Sequence, residues 1–135
     1  CIRDRSLREP DEYHCHLVPE RAASLVAGCD LLLAPSWEQE GFGLPVLEAF
    51  ASGIPVVASD ISCFRGFASE AATLVPAHDA AAFAQAAVGI LNDPGVWRRH
   101  RTAGLSVAKC YSEQRAADSA EDALRWIASG EWRHG

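Results

Sequence analysis

A chain of 135 residues, 49% apolar and 22% charged with no long run of one sign, has the length and composition of one folded domain, and it is short for an enzyme that must enclose two substrates. Its net charge of -6 with the histidines neutral excludes a broad electrostatic grip on nucleic acid or anionic lipid, so a phosphate would have to be bound locally. Scattered cysteines (Cys1, Cys15, Cys29, Cys63, Cys110) without a C-x-x-C pair exclude a disulfide framework and a zinc site and fit a reducing cytoplasm, and no apolar stretch approaches a membrane span.

In chain order, residues 1–12 read as a polar lead-in and 13–18 (YHCHLV) as a short strand, with His14, Cys15 and His16 as ordinary strand residues rather than metal ligands. Pro19 suits a first helical turn, and Ala22, Leu25 and Val26 follow at helical spacing until Gly28. Asp30 to Pro35 is a short apolar run, which predicts a strand buried on both faces. After the polar segment Ser36 to Gly43, a helix is predicted from Leu44 and Pro45 to Gly53, with Val46, Leu47, Phe50 and Ala51 facing inward.

Ile54 to Ala58 reads as the second buried strand, Ser59 to about Ala72 as a loop, and Thr73 to Val75 as a third strand closed by Pro76. Asp79 is a plausible cap for a helix carrying Phe83, Ala87, Ile90 and Leu91 that stops at Asn92-Asp93-Pro94. Two further helices are predicted, from about Gly95 to Lys109 and from Ser112 onward with Ala116, Ala120, Ala123 and Ile127 on one face. The alternation implies parallel strands with right-handed crossovers: an α/β fold, a Rossmann-like parallel sheet flanked by helices, in one domain spanning 1–135. Ligands of such sheets lie at the carboxyl ends of strands, here the loops that begin at Ser36 and Ser59.

The first of those loops carries the chemistry. Gly41 and Gly43 precede the helix at Leu44, whose first amides lack internal partners and are natural donors to phosphate oxygens. Glu40 lies before the helix and Glu48 one turn into it, seven residues apart. An ionised carboxylate only accepts hydrogen bonds and suits paired hydroxyls, so one acid can serve each end of a diphosphate that joins two hydroxylated groups. That describes a nucleoside diphosphate sugar, held without a metal or other cofactor.

The segment Glu40-Gly41-Phe42-Gly43-Leu44-Pro45-Val46-Leu47-Glu48 is similar to the E-x7-E signature of family 4 (group 1) glycosyltransferases, which pair two Rossmann-like domains in the GT-B arrangement. The stretch Ala51 to Asp60, and Leu74-Val75-Pro76 to Asp79 ahead of a helix with an Asn-Asp-Pro stop, resemble its continuation, so the similarity runs from about Pro19 to about Tyr111. The resemblance implies the C-terminal, donor-binding half of a retaining hexosyltransferase that takes a UDP-sugar or GDP-sugar. It implies Glu40 at the reacting sugar as the candidate catalytic residue, the backbone of Gly41, Phe42, Gly43 and Leu44 on sugar and phosphate, and Glu48 on the ribose. The acceptor site and a frequently catalytic His would lie in an N-terminal domain, and the absence of any Met suggests that such a part has been left out, so that this fragment alone would be inactive. The inferred setting is the cytoplasm, with the inner face of the membrane as the place of a peripheral contact.

The chain departs from the family in two places: no counterpart of an upstream Arg/Lys pair precedes Pro19, and Phe64-Arg65-Gly66-Phe67 stands where the family often has a Glu. Arg65 is the one candidate to meet a phosphate there. Taken alone, Glu40 reads better as an acid stabilising a helix N-terminus by a few tenths to about 1 kcal/mol. Its spacing to the glycines and Glu48 favours donor binding. Trp37 reads as a rim aromatic, Ser36, Ser59 and Asp60 as either ligand contacts or turn residues, and Trp97 to Arg101 as a solvated helix face. Trp126 and Trp132 are candidates to cover a surface between domains. A truncated or degenerate binding module without independent catalysis, and an epimerase of related architecture, remain as alternatives.

Overall fold

A computed structural model describes residues 12, 14 and 16–129, in the order α1 (Pro19–Ala27), β1 (Leu32–Ala34), α2 (Leu44–Ala51), β2 (Val56–Ser59), α3 (Ser62–Phe67), β3 (Ala72–Val75), α4 (Ala80–Asn92), α5 (Pro94–Cys110) and α6 (Glu113–Ser129). The strands form a parallel sheet in the order β1-β2-β3, with Leu32 opposite Val56, Ala34 opposite Ala58 and Ser59 opposite Val75. Side chains of β2 alternate between two cores. Val56 and Ala58 pack with Val46 and Phe50 of α2 and Phe64 of α3, whereas Val57 packs with Phe83 and Ile90 of α4. This is the Rossmann-like layering expected, since a strand buried on both faces needs helices on both.

The helix ends follow their local chemistry. Pro19 opens α1 after the extended Val18. Ile54 N–H reaches back to Ala49 O and Gly53 N–H to Phe50 O, with Gly53 at φ 72°, so α2 closes in a Schellman motif at the glycine expected to end it. Asp79 caps α4 through Ala82 N–H, and Asp93 caps α5 through the amides of Gly95 and Val96. Those two amides hold the Asp93 carboxyl below the usual carboxylate range. The Asn92-Asp93-Pro94 stop is thus also the start of the next helix.

Helix α5 crosses the amino-terminal edge of the sheet. Trp97 Nε1 donates to Asp30 O at 2.8 Å ahead of β1, Arg101 Nη1 to Gly53 O at 3.1 Å ahead of β2, and His100 Nε2 lies 3.0 Å from Thr73 Oγ1 in β3. Arg101 also stacks over the Trp97 ring at 5.7 Å. The expected solvated face of 97–101 is therefore corrected: Arg98 and Arg99 are exposed, but Trp97, His100 and Arg101 tie the helix to the strand entrances. Further along, Gly104 receives the Phe50 ring, and a Cβ there would lie 2.7 Å from Phe50 Cδ1.

Three other expectations are revised. Among the described residues β1 is at the edge of the sheet rather than buried on both faces, with Leu33 48% exposed. The loop expected from 59 to 72 contains α3, anchored by Ile61, Phe64 and Ala68. The predicted strand at 13–18 is not seen in its described members His14 and His16 to Val18, while Tyr13 and Cys15, like the lead-in 1–11, Trp132 and His134, lie outside the described residues. Ser112 does accept from Arg115 N–H at the start of α6, but the face with Ala116, Ala120 and Ala123 is exposed, as is Trp126. Among the described residues no helix is long and apolar enough to cross a membrane.

The α2–α5 contact makes a quantitative prediction. Phe50→Ala should lower stability by about 3–5 kcal/mol through the cavity it leaves, and Gly104→Ala by about 1–3 kcal/mol through overpacking. The double variant should lose less than the sum, because the added methyl then enters the vacated ring volume. Urea unfolding of the three variants measures this, and strict additivity would contradict the packing.

Candidate functional site

With α5 occupying the amino edge, the loops at the carboxyl edge are left to form a site. β1 runs into Pro35 and Ser36, whose N–H donates to Ala34 O at 2.9 Å. A turn follows in which Glu40 N–H donates to Trp37 O at 2.9 Å, and the chain then passes through Gly41 and Phe42 to Gly43. Gly43 is the N-cap of α2 at φ 79°, ψ 44°, the left-handed region that glycine enters without a Cβ penalty. A Cβ at this buried position would overlap the Phe64 ring of α3. Both backbone conformation and space therefore require glycine here.

At Gly41 the situation is opposite. Its φ is ordinary, it is exposed, and a Cβ would meet nothing within 4 Å, so the protein itself imposes no glycine there. The open space lies directly ahead of the helix. Among the described residues, the amides of Gly41, Phe42, Gly43 and Leu44 have no acceptor, and the first intrahelical bond is Val46 N–H to Gly43 O. Pro45 has no N–H to leave unpaired. Four successive amides without acceptors at the positive end of a helix are suited to donate to an anion, in the manner of a local cradle.

Glu40 is half-buried, and its Oε2 accepts from Ser36 Oγ at 3.1 Å. Glu48 is exposed on α2, between the buried Val46 and Phe50, and has no side-chain partner among the described residues. Its apolar neighbours turn into the core while the Glu48 side chain stays at the surface. Trp37 is 64% exposed and sets its ring edge against His78 at 4.0 Å, as a rim aromatic would. Ser59 is fully buried with its Oγ unpartnered among the described residues, so it does not present a hydroxyl at the surface of the loop.

Helix α3, missed in the sequence, forms one wall. Ser62 Oγ donates to Glu38 Oε2 at 3.2 Å and ties the start of α3 to the loop before α2. Cys63 is half-buried beside it, and burial first, then the Glu40 charge, push its thiol pKa up, so it stays neutral. Arg65, the candidate phosphate partner, instead donates Nε to Asp60 Oδ1 at 2.6 Å and Nη2 to Asp60 O at 3.1 Å. The spacing of Ile61, Phe64 and Ala68 was the signal that could have revealed this helix. An aromatic group closes the other side: Phe42 stacks on Phe67 at 6.0 Å, and Tyr111 stands edge-on to both at 6.3 and 5.8 Å. Next to it, a groove of about 370 Å³ runs between Phe42, Leu44, Leu47, Tyr111 and Arg115.

Two predictions follow from these contacts. Gly43→Ala should destabilise by about 2–4 kcal/mol, from left-handed strain and overlap with Phe64 together, whereas Gly41→Ala should stay within about 0.5 kcal/mol of the parent; chemical unfolding of both decides it. The Arg65 hydrogen bond, then its charge, hold the Asp60 carboxyl below the usual range. The sign follows from a lowered folded-state pKa: the pair's contribution is complete above the ordinary carboxylate pKa and is lost as pH falls through the depressed value. Because both side chains are substantially exposed, the effect is small. An NMR titration of Asp60 should show the depressed value, and its return to the ordinary range in Arg65→Ala.

A family model described as glycosyl transferases group 1 matches residues 5–93. A phosphatidyl-myo-inositol mannosyltransferase of Mycobacterium leprae is 38% identical over 91 residues, covering 66% of this chain and 24% of that protein. A D-inositol 3-phosphate glycosyltransferase of Nocardia farcinica is 34% identical over 120 residues, 87% of this chain and 26% of the relative. An O-antigen chain mannosyltransferase B of Escherichia coli is 32% identical over 126 residues, 92% of this chain and 32% of the relative. Among solved structures, a sucrose-phosphate synthase from Thermosynechococcus elongatus, a GT-B glycosyltransferase, superposes with a TM-score of 0.69 at 30% identity, covering 82% of this chain and 28% of that one. The chain thus spans 24% to 32% of the length of these relatives.

Proposed function

This chain belongs to the glycosyl transferases group 1 family, and from that premise we propose that it is the donor-binding domain of a retaining glycosyltransferase that moves a sugar from a nucleoside diphosphate sugar to an acceptor hydroxyl. The observation that carries the reading is the run of four free amides from Gly41 to Leu44 with Glu40 at its entrance. In this reading the diphosphate lies against those amides, Glu48 accepts from the ribose hydroxyls, and Glu40 accepts from hydroxyls of the transferred sugar. Amides fixed before the reaction stabilise the charge that builds on the departing diphosphate, and they do so without reorganising.

The donor class is a UDP-sugar or a GDP-sugar, and several relatives are named as mannosyltransferases. The acceptor would be held by a second α/β domain, which agrees with the share of the relatives' length that this chain spans. The reading calls for no metal and no further cofactor, and it sets the reaction in the cytoplasm. A second reading, a binding module that does not turn over sugar, is favoured by one observation: Arg65, the cation nearest in sequence to the cradle wall, is engaged by Asp60.

Isothermal titration calorimetry of the chain with UDP, GDP, UDP-glucose and GDP-mannose tests donor binding. At least one sugar nucleotide should bind. Glu48→Ala should weaken the nucleotide and its sugar conjugate alike by roughly tenfold or more, and Glu40→Ala should weaken the sugar conjugate selectively by a similar factor. Silence across all four ligands, or wild-type affinities in both variants, would refute the assignment. A transfer assay on the chain joined to its acceptor domain then separates the enzyme from the silent module.

A further inference from the structure

We propose that Ser36 is a positioning residue for Glu40: its hydroxyl holds one carboxylate oxygen on the end of β1 so that the other is presented to the sugar of a bound donor. The inference rests on the donor-binding reading of Glu40 given above. Its starting point is the hydrogen bond from Ser36 Oγ to Glu40 Oε2 at 3.1 Å, in a half-buried setting. Among the described residues Ser36 is the one hydrogen-bond partner of that carboxylate, and no Lys, Arg or His forms an ion pair with it.

The backbone on both sides of the bond is itself fixed. Ser36 leaves a hydrogen-bonded strand and returns its N–H to Ala34 O, and Glu40 N–H is held by Trp37 O, so donor and acceptor meet across a closed five-residue loop. A glutamate side chain has three torsions to freeze before it can meet a ligand hydroxyl in one geometry. Freezing them in the unliganded protein removes that cost from the binding step. A serine suits the task because a hydroxyl can donate to one oxygen without neutralising the carboxylate, leaving Oε1 a charged acceptor. The Cys63 thiol at the start of α3, which feels the Glu40 charge, is neutral and supplies no competing charge.

A purely structural tie would behave differently. It would lower the stability of the loop and weaken every ligand of the cradle together, whereas positioning acts on the sugar alone. The discriminating quantity is the ratio of affinities for a sugar nucleotide and its parent nucleotide. It is read by titration calorimetry of the chain with UDP and UDP-glucose, and with GDP and GDP-mannose. Ser36→Ala should cut the preference for the sugar conjugate by roughly tenfold with nucleotide affinity unchanged. Ser36→Thr, which keeps the hydroxyl, should restore it to within about twofold. In a Glu40→Ala background, Ser36→Ala should have no further effect.

If Glu40→Ala abolishes the preference and Ser36→Ala leaves it intact, positioning is overturned while the donor reading survives. If Glu40→Ala also leaves the preference intact, positioning and the sugar-contact role of Glu40 are overturned together, and if none of the four ligands binds, the donor-binding reading is overturned with them. Parallel loss of nucleotide and sugar-nucleotide affinity in Ser36→Ala, with a lowered melting temperature, would assign Ser36 to loop structure and overturn the proposal as well.

Discussion

The contact between the bare Cα of Gly43 and the Phe64 ring sets the geometry of the whole carboxyl edge. Because Gly43 takes a left-handed conformation with no side chain, the chain can turn from the β1 loop into α2 while lying flat on the wall made by α3. The turn is what leaves the preceding amides without intrahelical acceptors, and Pro45 at the second helical position fixes the direction of entry. The same contact couples two connections that are distant in sequence, the one between β1 and β2 and the one between β2 and β3. The Ser62–Glu38 hydrogen bond, 24 residues apart in the chain, reinforces that coupling. The loop is therefore supported on a packed aromatic surface, which is how a segment rich in polar residues and glycine can hold a defined shape.

The opposite edge of the sheet explains why this one is free. Helix α5 has no acidic residue between Pro94 and Cys110, and three of its side chains, Trp97, His100 and Arg101, are spent on backbone carbonyls and a hydroxyl at the strand entrances. Asp30 O and Gly53 O, which precede β1 and β2, are acceptors that no neighbouring strand is placed to satisfy, and Trp97 and Arg101 supply the donors. The helix passes from the α4 side of the sheet, where Val96 and Trp97 pack, to the α2 side, where Ala103, Val107 and Ala108 pack. Closing the amino edge in this way joins the two cores through one element. It leaves ligands the carboxyl edge, where parallel α/β sheets ordinarily place them.

How much of this could be read beforehand depended on whether the signal was local. The helix starting at Leu44 and ending at Gly53, the cap Asp79, the stop at Asn92-Asp93-Pro94 and the run from Glu40 to Glu48 announce themselves through proline, glycine and carboxylates at fixed offsets. They needed no knowledge of neighbours. The six-residue α3 was read as a loop because Gly66 and the adjoining polar residues masked the apolar triplet Ile61, Phe64 and Ala68, which becomes meaningful only when packed on α2. An apolar run cannot by itself distinguish an edge strand from a central one, hence the misreading of β1, whose exposure is set by what lies beside Leu33. Similarly, the run from Trp97 to Arg101 looks like a solvated face because long side chains on one helix give no hint of the carbonyls they will meet. The glycines differ in the same way. Gly43 and Gly41 look alike in sequence, and only the structure shows that one is required by Phe64 while the other borders open space.

What the start of α2 offers an anion bears on what the site can select. Arg65 on the α3 wall is held by Asp60, and Arg115 lines the groove beside Phe42 and Leu44, so at the start of α2 itself the loop offers an anion backbone dipoles. Backbone amides act over the first turn only, whereas Glu40 and Glu48 carry whole negative charges in the same neighbourhood. A bare phosphate or diphosphate would gain the amides but feel both carboxylates uncompensated. A ligand that places hydroxyl-bearing groups between its phosphates and each acid turns the two repulsions into charge-assisted hydrogen bonds. Under the proposed reading Glu48 meets the ribose of donor and spent nucleotide alike, so Glu40 is the discriminator as much as a contact: it makes the site a poorer one for the nucleoside diphosphate that remains after transfer than for the sugar-bearing donor. That asymmetry favours release of the spent nucleotide.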